Sequence, residues 1–234
     1  RKTYKVDDMS YNNQIYPIIA GQVGVGCCTR INGEMRPLYH KGDPIFERQL
    51  IITLPQKAKI SSWDDDELSF DYMVEREQYM VSELVRRGFL LNNRYLLKDG
   101  SLEYQVHNFT KHQELLRFRN NYRFVVGASK SFNPANCIDK NGRNNSNMIA
   151  ELPLYCRTPV QMYQSDRIGN MKFAVWYVRI RDHIYTNNTF DGILKLEKIL
   201  VSEEQMEEGL DSSEVDMITA NIINERNPVC YGAD

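Results

Sequence analysis

The 234-residue chain has 42% hydrophobic and 26% charged residues, ordinary values for a folded protein with an ample core. Its 29 basic and 31 acidic residues leave a formal charge of −2, so no global field draws it to nucleic acid or membrane, and any anion-binding surface must be local. The five cysteines (Cys27, Cys28, Cys137, Cys156, Cys230) form no C-x-x-C pair, which argues against a disulfide framework or zinc site and fits a reducing cytoplasm.

Length alone predicts one domain over residues 1–234. No secretory-signal pattern opens the chain, and its start at Arg1 is expected to reflect trimming at an end. Val6 to Ser10 reads as a first strand, with Tyr11-Asn12-Asn13-Gln14 as the turn and Ile15 to Cys28 as a long second strand. That second stretch is too short, and too interrupted by Pro17, Gly21, Gly24 and Gly26, to cross a bilayer. The G-x-x-G-x-G spacing lacks a following helix, so strand glycines are expected rather than a phosphate loop. Asn32-Gly33 marks a second hairpin within Ile31 to Leu38, and Leu50 to Leu54 reads as a strand or a buried helix end.

Ser62 to Arg87 is the clearest helix: Asp64, Asp65, Asp66 and Glu67 load its first turn, Arg86 and Arg87 its last, and Gly88 stops it. Thr110-x-x-Gln113 caps a further helix to about Arg119. Tyr122 to Ala128 reads as a buried strand and Asn133 to Asn147 as a loop. Phe173 to Ile180 and Gly192 to Leu200 are strands; Ser202 to Leu210 is acidic and exposed. Ser212 or Ser213 caps a last helix running to about Glu225. Such interleaving predicts an α/β fold, a mixed sheet flanked by helices with additional strands in the C-terminal half.

Three acids stand out by position. Asp7 ends the first strand, and Asp99 follows the apolar run Tyr95-Leu96-Leu97 and Lys98, at a strand end where a site can open to solvent. An Asp-Gly turn between strands is the alternative use of Asp99-Gly100. Glu77 shares the helical stripe of Met73, Met80, Val81 and Leu84, so it projects inward and must be paired with a buried arginine, protonated or metal-bound. Carboxylates of this kind suit hard divalent cations, which take oxygen ligands and bridge phosphates. Residues 107–130 carry Lys111, Arg117, Arg119, Arg123 and Lys130 against Glu114 alone, a local excess suited to phosphates. Lys130 leaves the strand Tyr122 to Ala128, near where Asp99 leaves its own.

The series Val6-Asp7 before a hairpin, an acidic helix ending in Leu-Val-Arg-Arg, Leu-Leu-Lys-Asp99-Gly100-Ser101-Leu and Val-Val-Gly-Ala-Ser-Lys130 resembles the NurA-type nucleases over roughly residues 5–131. The resemblance implies an RNase H-like mixed β-sheet and Mn²⁺- or Mg²⁺-dependent hydrolysis of DNA phosphodiesters. It also implies a homodimer working with a HerA-type hexameric ATPase, in DNA end processing or antiviral defence. It carries metal-ligand roles to Asp7, Glu77 and Asp99, a fourth to Asp234, and a phosphate-facing role to Lys130; the first motif reads Asp-Asp-Met-Ser here, leaving Asp7 and Asp8 as alternatives. Arg119, Arg123 and Arg157 are the further candidates for nucleic-acid contact. The rival expectation is a non-catalytic adaptor on the same fold that docks a partner ATPase or nucleic acid.

Overall fold

A computed structural model describes residues 2–23, 27–31, 34–37, 49–53, 77–90, 95–103, 119–139, 141–165, 171–182 and 189–225. Contacts group the chain into two units, residues 1–89 with 106–111, and residues 90–105 with 112–234.

The first unit holds an antiparallel sheet in the order β1 (Lys2–Tyr11), β2 (Gln14–Val23), β5 (Gln49–Thr53), and a separate hairpin of β3 (Cys28–Ile31) and β4 (Glu34–Pro37). Asn12 and Asn13 both take positive φ (50° and 58°) between the paired residues Tyr11 and Gln14. This is the two-residue turn whose twist matches right-handed strands, and asparagine tolerates that backbone better than most residues. The first strand is longer than its sequence suggests. The second is strand over Gln14–Val23, and Gly24 and Gly26 lie outside the described residues. Gly21 sits within the ladder, paired with Thr3 and Ile51, as a strand glycine should. Leu50 to Thr53 is strand, not helix.

Residues 77–86 are helical, here α1, and Met80, Val81 and Leu84 are buried as the stripe predicts. Gly88, at φ 73°, closes the helix: its N–H reaches the Val85 carbonyl, and the Phe89 N–H reaches Leu84. Only glycine takes that left-handed step without penalty, and the paired bonds satisfy carbonyls the helix end would strand. The earlier part of the expected helix, residues 62–76, lies outside the described residues, as do residues 104–118 with most of the expected second helix.

The second unit is the mixed sheet flanked by helices that the sequence predicts. Its order is β6 (Leu96–Asp99), β7 (Val125–Ser129), β10 (Ile193–Ile199), β9 (Lys172–Arg179), β8 (Gln161–Gln164); β6 and β7 run parallel and the remaining neighbours antiparallel. A 3₁₀ segment, Arg119–Phe124, takes the first residues of what reads as one strand, so β7 starts only at Val125. The expected loop 133–147 contains a 3₁₀ turn, Pro134–Asn136, and the start of α2 (Ser146–Ala150). The acidic stretch forms α3 (Glu203–Glu208), capped by Ser202. The last helix, α4 (Ser212–Asn224), is capped one residue earlier than expected, by Asp211.

Alternation decides the two faces of this sheet. Val126, Ala128, Trp176, Val178 and Leu196 face α4 and pack on its Val215, Ile218 and Ile222. Trp176 is fully buried and donates its indole N–H to Thr219 Oγ1 at 3.0 Å, which in turn donates to the Val215 carbonyl at 2.7 Å. On the same face the buried Lys198 ammonium meets Glu214 at 3.1 Å, and Tyr95 donates to that carboxylate at 2.8 Å. Burial pulls the Lys198 ammonium below its ordinary range, against the opposing pull of Glu214.

Candidate functional site

The expected site residues divide between the units. Asp7 lies within β1, not at its end, just past an irregularity in the register between Lys5 and Asp7; both Asp7 and Asp8 are exposed. Asp7 Oδ1 accepts the Asp8 amide at 2.8 Å. Glu77 opens the described part of α1 and is half-buried. Asp234 lies outside the described residues.

Asp99 and Lys130 belong to the second unit and are brought to one edge. Asp99 is the last residue of β6, exposed and in register with Ala128 of the parallel neighbour. Lys130, also exposed, leaves that neighbour two residues later. Parallel strands end on the same side, so an acid and a base separated by thirty residues share the carboxyl edge where open α/β sheets place their sites. Gly100, at φ 96°, turns the chain there, its N–H bonded to the Ala128 carbonyl at 2.8 Å, and Lys98 Nζ braces the turn by donating to the carbonyls of Asp99 and Ser101. Among the described residues, no three His, Cys, Asp or Glu side chains gather as a metal-holding group. The expected ligands are nonetheless all carboxylates, the donor type Mg²⁺ and Mn²⁺ select.

The arginine candidates Arg119, Arg123 and Arg157 lie elsewhere. Arg119 and Arg123 lie in the 3₁₀ segment before β7, at the opposite end of a five-residue strand, roughly 16 Å long at about 3.3 Å per residue. Arg123 stacks over the Phe124 ring at 5.4 Å and lines a groove with Glu204, Glu208, Asp211 and Glu214, surroundings that repel phosphate. Arg157 holds Asp216 at 2.7 Å, the Ser212 hydroxyl at 3.1 Å and the Thr158 carbonyl at 2.9 Å, tying its loop to α4.

Sequence reasoning passed over a second constellation, on the sheet face opposite α4. After Asp99 the chain folds back across that face, over Gly127. A Cβ built on Gly127 would stand 2.9 Å from the Gly100 carbonyl oxygen, 2.9 Å from Leu102 Cγ and 3.0 Å from Glu197 Cγ, so only glycine admits the crossing. Beneath it Glu197, in register with Gly127, is completely buried. Its Oε1 accepts the Ser101 hydroxyl at 2.5 Å, the Glu103 amide at 3.3 Å and the Leu102 amide, while Lys195 Nζ lies 2.7 Å from Oε2. A buried carboxylate is tolerable only with such compensation. Glu103 in turn accepts from Ser165 Oγ at 2.6 Å and Tyr163 Oη at 3.2 Å.

These groups border a cavity of about 490 Å³ whose wall includes Ser101, Glu103, Ser129, Tyr163, Tyr177 and Lys195. Burial, helped by the charges of Glu197 and Glu103, pushes the Tyr163 phenol far above its ordinary range. Burial does the same to Tyr177, which also bonds Cys137 at 3.4 Å. One signal for this site is present in the sequence. In Lys195-Leu196-Glu197-Lys198 charges fall on both faces of a strand, which a strand with one solvated face would not show.

No protein-family model matches the chain, and no curated protein matches it. Among solved structures it is similar to the crystal structure of the NurA nuclease from Sulfolobus solfataricus, with a TM-score of 0.48 and 12% identity over 93% of this chain and 69% of that one. Among the described residues, no helix is long and apolar enough to cross a membrane.

Proposed function

We propose that this chain is a divalent-metal-dependent nuclease that hydrolyses DNA phosphodiesters, with Asp99 a metal ligand and Lys130 a phosphate contact. One observation carries the reading: Asp99 and Lys130 leave adjacent parallel strands at the same edge, as the resemblance to NurA-type nucleases requires. Asp7 and Glu77 are the further ligands in this proposal, with Asp234 a fourth. Bound Mn²⁺ or Mg²⁺ supplies an activated water and neutralises charge on the phosphate. The chain's own part is to hold carboxylate oxygens in place, turn sharply at Gly100 so that the backbone recedes, and present an ammonium to a non-bridging phosphate oxygen. We place its work in DNA end processing or antiviral defence, as a homodimer partnered by a HerA-type hexameric ATPase.

The test is DNA cleavage with Mn²⁺ or Mg²⁺ by the full chain assembled with its ATPase. Asp99→Asn keeps shape and turn but removes the ligand charge, and cleavage should fall by roughly three orders of magnitude or more. Lys130→Ala should act more mildly, because a phosphate contact serves binding as much as the transition state. Cleavage that survives Asp99→Asn refutes the site. Absence of cleavage by the parent with either metal, with ATPase binding indifferent to Asp99, points instead to the adaptor.

A further inference from the structure

We infer that the cavity on the sheet face opposite α4 receives an uncharged nucleobase of the strand being cut. The inference rests on the nuclease reading for the source of the ligand, and on the cavity's own chemistry for its class. The cavity wall adjoins the proposed reaction edge along the chain: Ser101 follows Asp99 by two residues, and Ser129 and Ser131, which flank Lys130, both line it. In this inference the phosphate lies at Asp99 and Lys130, and the base turns over the sheet edge into the cavity on the face opposite α4.

The wall's charges are already engaged. Lys195 is held by the buried Glu197 at 2.7 Å, so it offers little to a phosphate, and the Glu103 carboxylate beside it repels one. What remains is hydroxyl, amide and aromatic surface. Asn133, Asn136 and Gln161 bring donors and acceptors to the rim. Phe132 contributes a ring that is itself steadied by Tyr177 at 4.9 Å and Phe190 at 5.3 Å. Flat rings with hydrogen-bonding edges are bound by this combination, stacking on aromatics and bonding to hydroxyls and amides. The volume of about 490 Å³ lies within the usual range for organic ligands. Glu103 is an acceptor for an exocyclic amino group, fixed in aim by Ser165 and Tyr163. The Gly127 crossing makes the wall rigid, because the segment carrying Ser101 and Glu103 is pinned to the sheet through Glu197.

The experiment is amide chemical-shift mapping on the full chain in metal-free buffer, titrated separately with deoxyadenosine, thymidine, deoxyribose 5-phosphate, inorganic phosphate and Mg²⁺. The nucleosides should shift the wall residues Gln161, Met162 and Tyr163 saturably, and the other three probes, whose expected effects fall at Asp99 and Lys130, should leave those three unmoved. Asn136→Trp, a change at an exposed rim position, should weaken nucleoside binding at least about tenfold, the scale of one lost stacked base, with the melting temperature unchanged. Ser131→Trp provides a second block should the first variant misfold. Equal shifts from phosphate, sugar phosphate or Mg²⁺ overturn the inference, as do absent shifts or binding untouched by both blocks. Nucleoside binding in a chain that never cleaves DNA would leave this inference standing and the nuclease reading fallen; cleavage without nucleoside binding would do the reverse.

Discussion

Gly127→Ala tests the crossing on which the cavity depends. No positive φ marks Gly127, so alanine can adopt its backbone, and in an open strand the change would stabilise by roughly 0.4–1 kcal/mol through the unfolded state. Here the new methyl meets the Gly100 carbonyl oxygen and Leu102 Cγ at 2.9 Å and Glu197 Cγ at 3.0 Å. One of the three is backbone, held by the Gly100 N–H bond to Ala128, so the strain cannot be relieved by turning a flexible side-chain end. Overpacking of this kind costs about 1–3 kcal/mol. From the middle of each range, the net loss is about 1.3 kcal/mol, or roughly 3–5 °C in the melting of the second unit. Thermal unfolding followed by near-ultraviolet circular dichroism reads it, with hydrogen exchange at the Leu102 and Glu103 amides as the local probe. A Gly127→Ala protein as stable as the parent, with those amides equally protected, would show that residues 100–103 do not lie across β7.

Three tyrosines make stability sensitive to alkali. Burial raises the phenols of Tyr95, Tyr163 and Tyr177 above the 10.0 of an unfolded tyrosine, so their contribution is fully present below about pH 10 and is lost as pH rises beyond it. Urea unfolding between pH 9 and roughly 11 should show falling stability, with a shallower slope in Tyr177→Phe; an unchanged slope would contradict the burial of that phenol. Among the described cysteines, thiol labelling of the native protein should mark the exposed Cys28 and Cys156 before the buried Cys27 and Cys137. Cys27, whose thiol burial pushes up to about 11, should stay unlabelled near neutral pH, because the thiolate is the reactive form, and prompt labelling there would refute its buried placement.

The elements that the sequence determined are those whose cause is local. Asn12-Asn13 dictates a hairpin because both residues accept positive φ, and Gly88 ends α1 because its neighbours cannot take the left-handed step. The inward stripe of α1 follows from the 3.6 period, the buried strands β7, β9 and β10 from compact apolar runs, and α4 from its capping residues, and together they make a mixed sheet flanked by helices legible. Asp99 at a strand end was legible for the same reason: an apolar run followed by Asp-Gly marks where a strand stops. What only the tertiary structure decided is which partners a residue meets across long stretches of chain. Glu197 takes the hydroxyl and amides of residues 101–103, nearly a hundred positions away; the charges on both faces of its strand hint at a buried acid but do not name those partners. Arg157 reads either as a phosphate contact or as a structural loop arginine, and only the fold supplies its partners, Asp216 and Ser212 of the distant α4. Arg123 and Lys130, close in sequence, are set at opposite ends of β7, because an intervening strand extends where a helix would have kept them together. Gly127 looks like a blemish in a buried strand until the segment after Asp99 is laid across it, and there a missing side chain becomes the condition for the site.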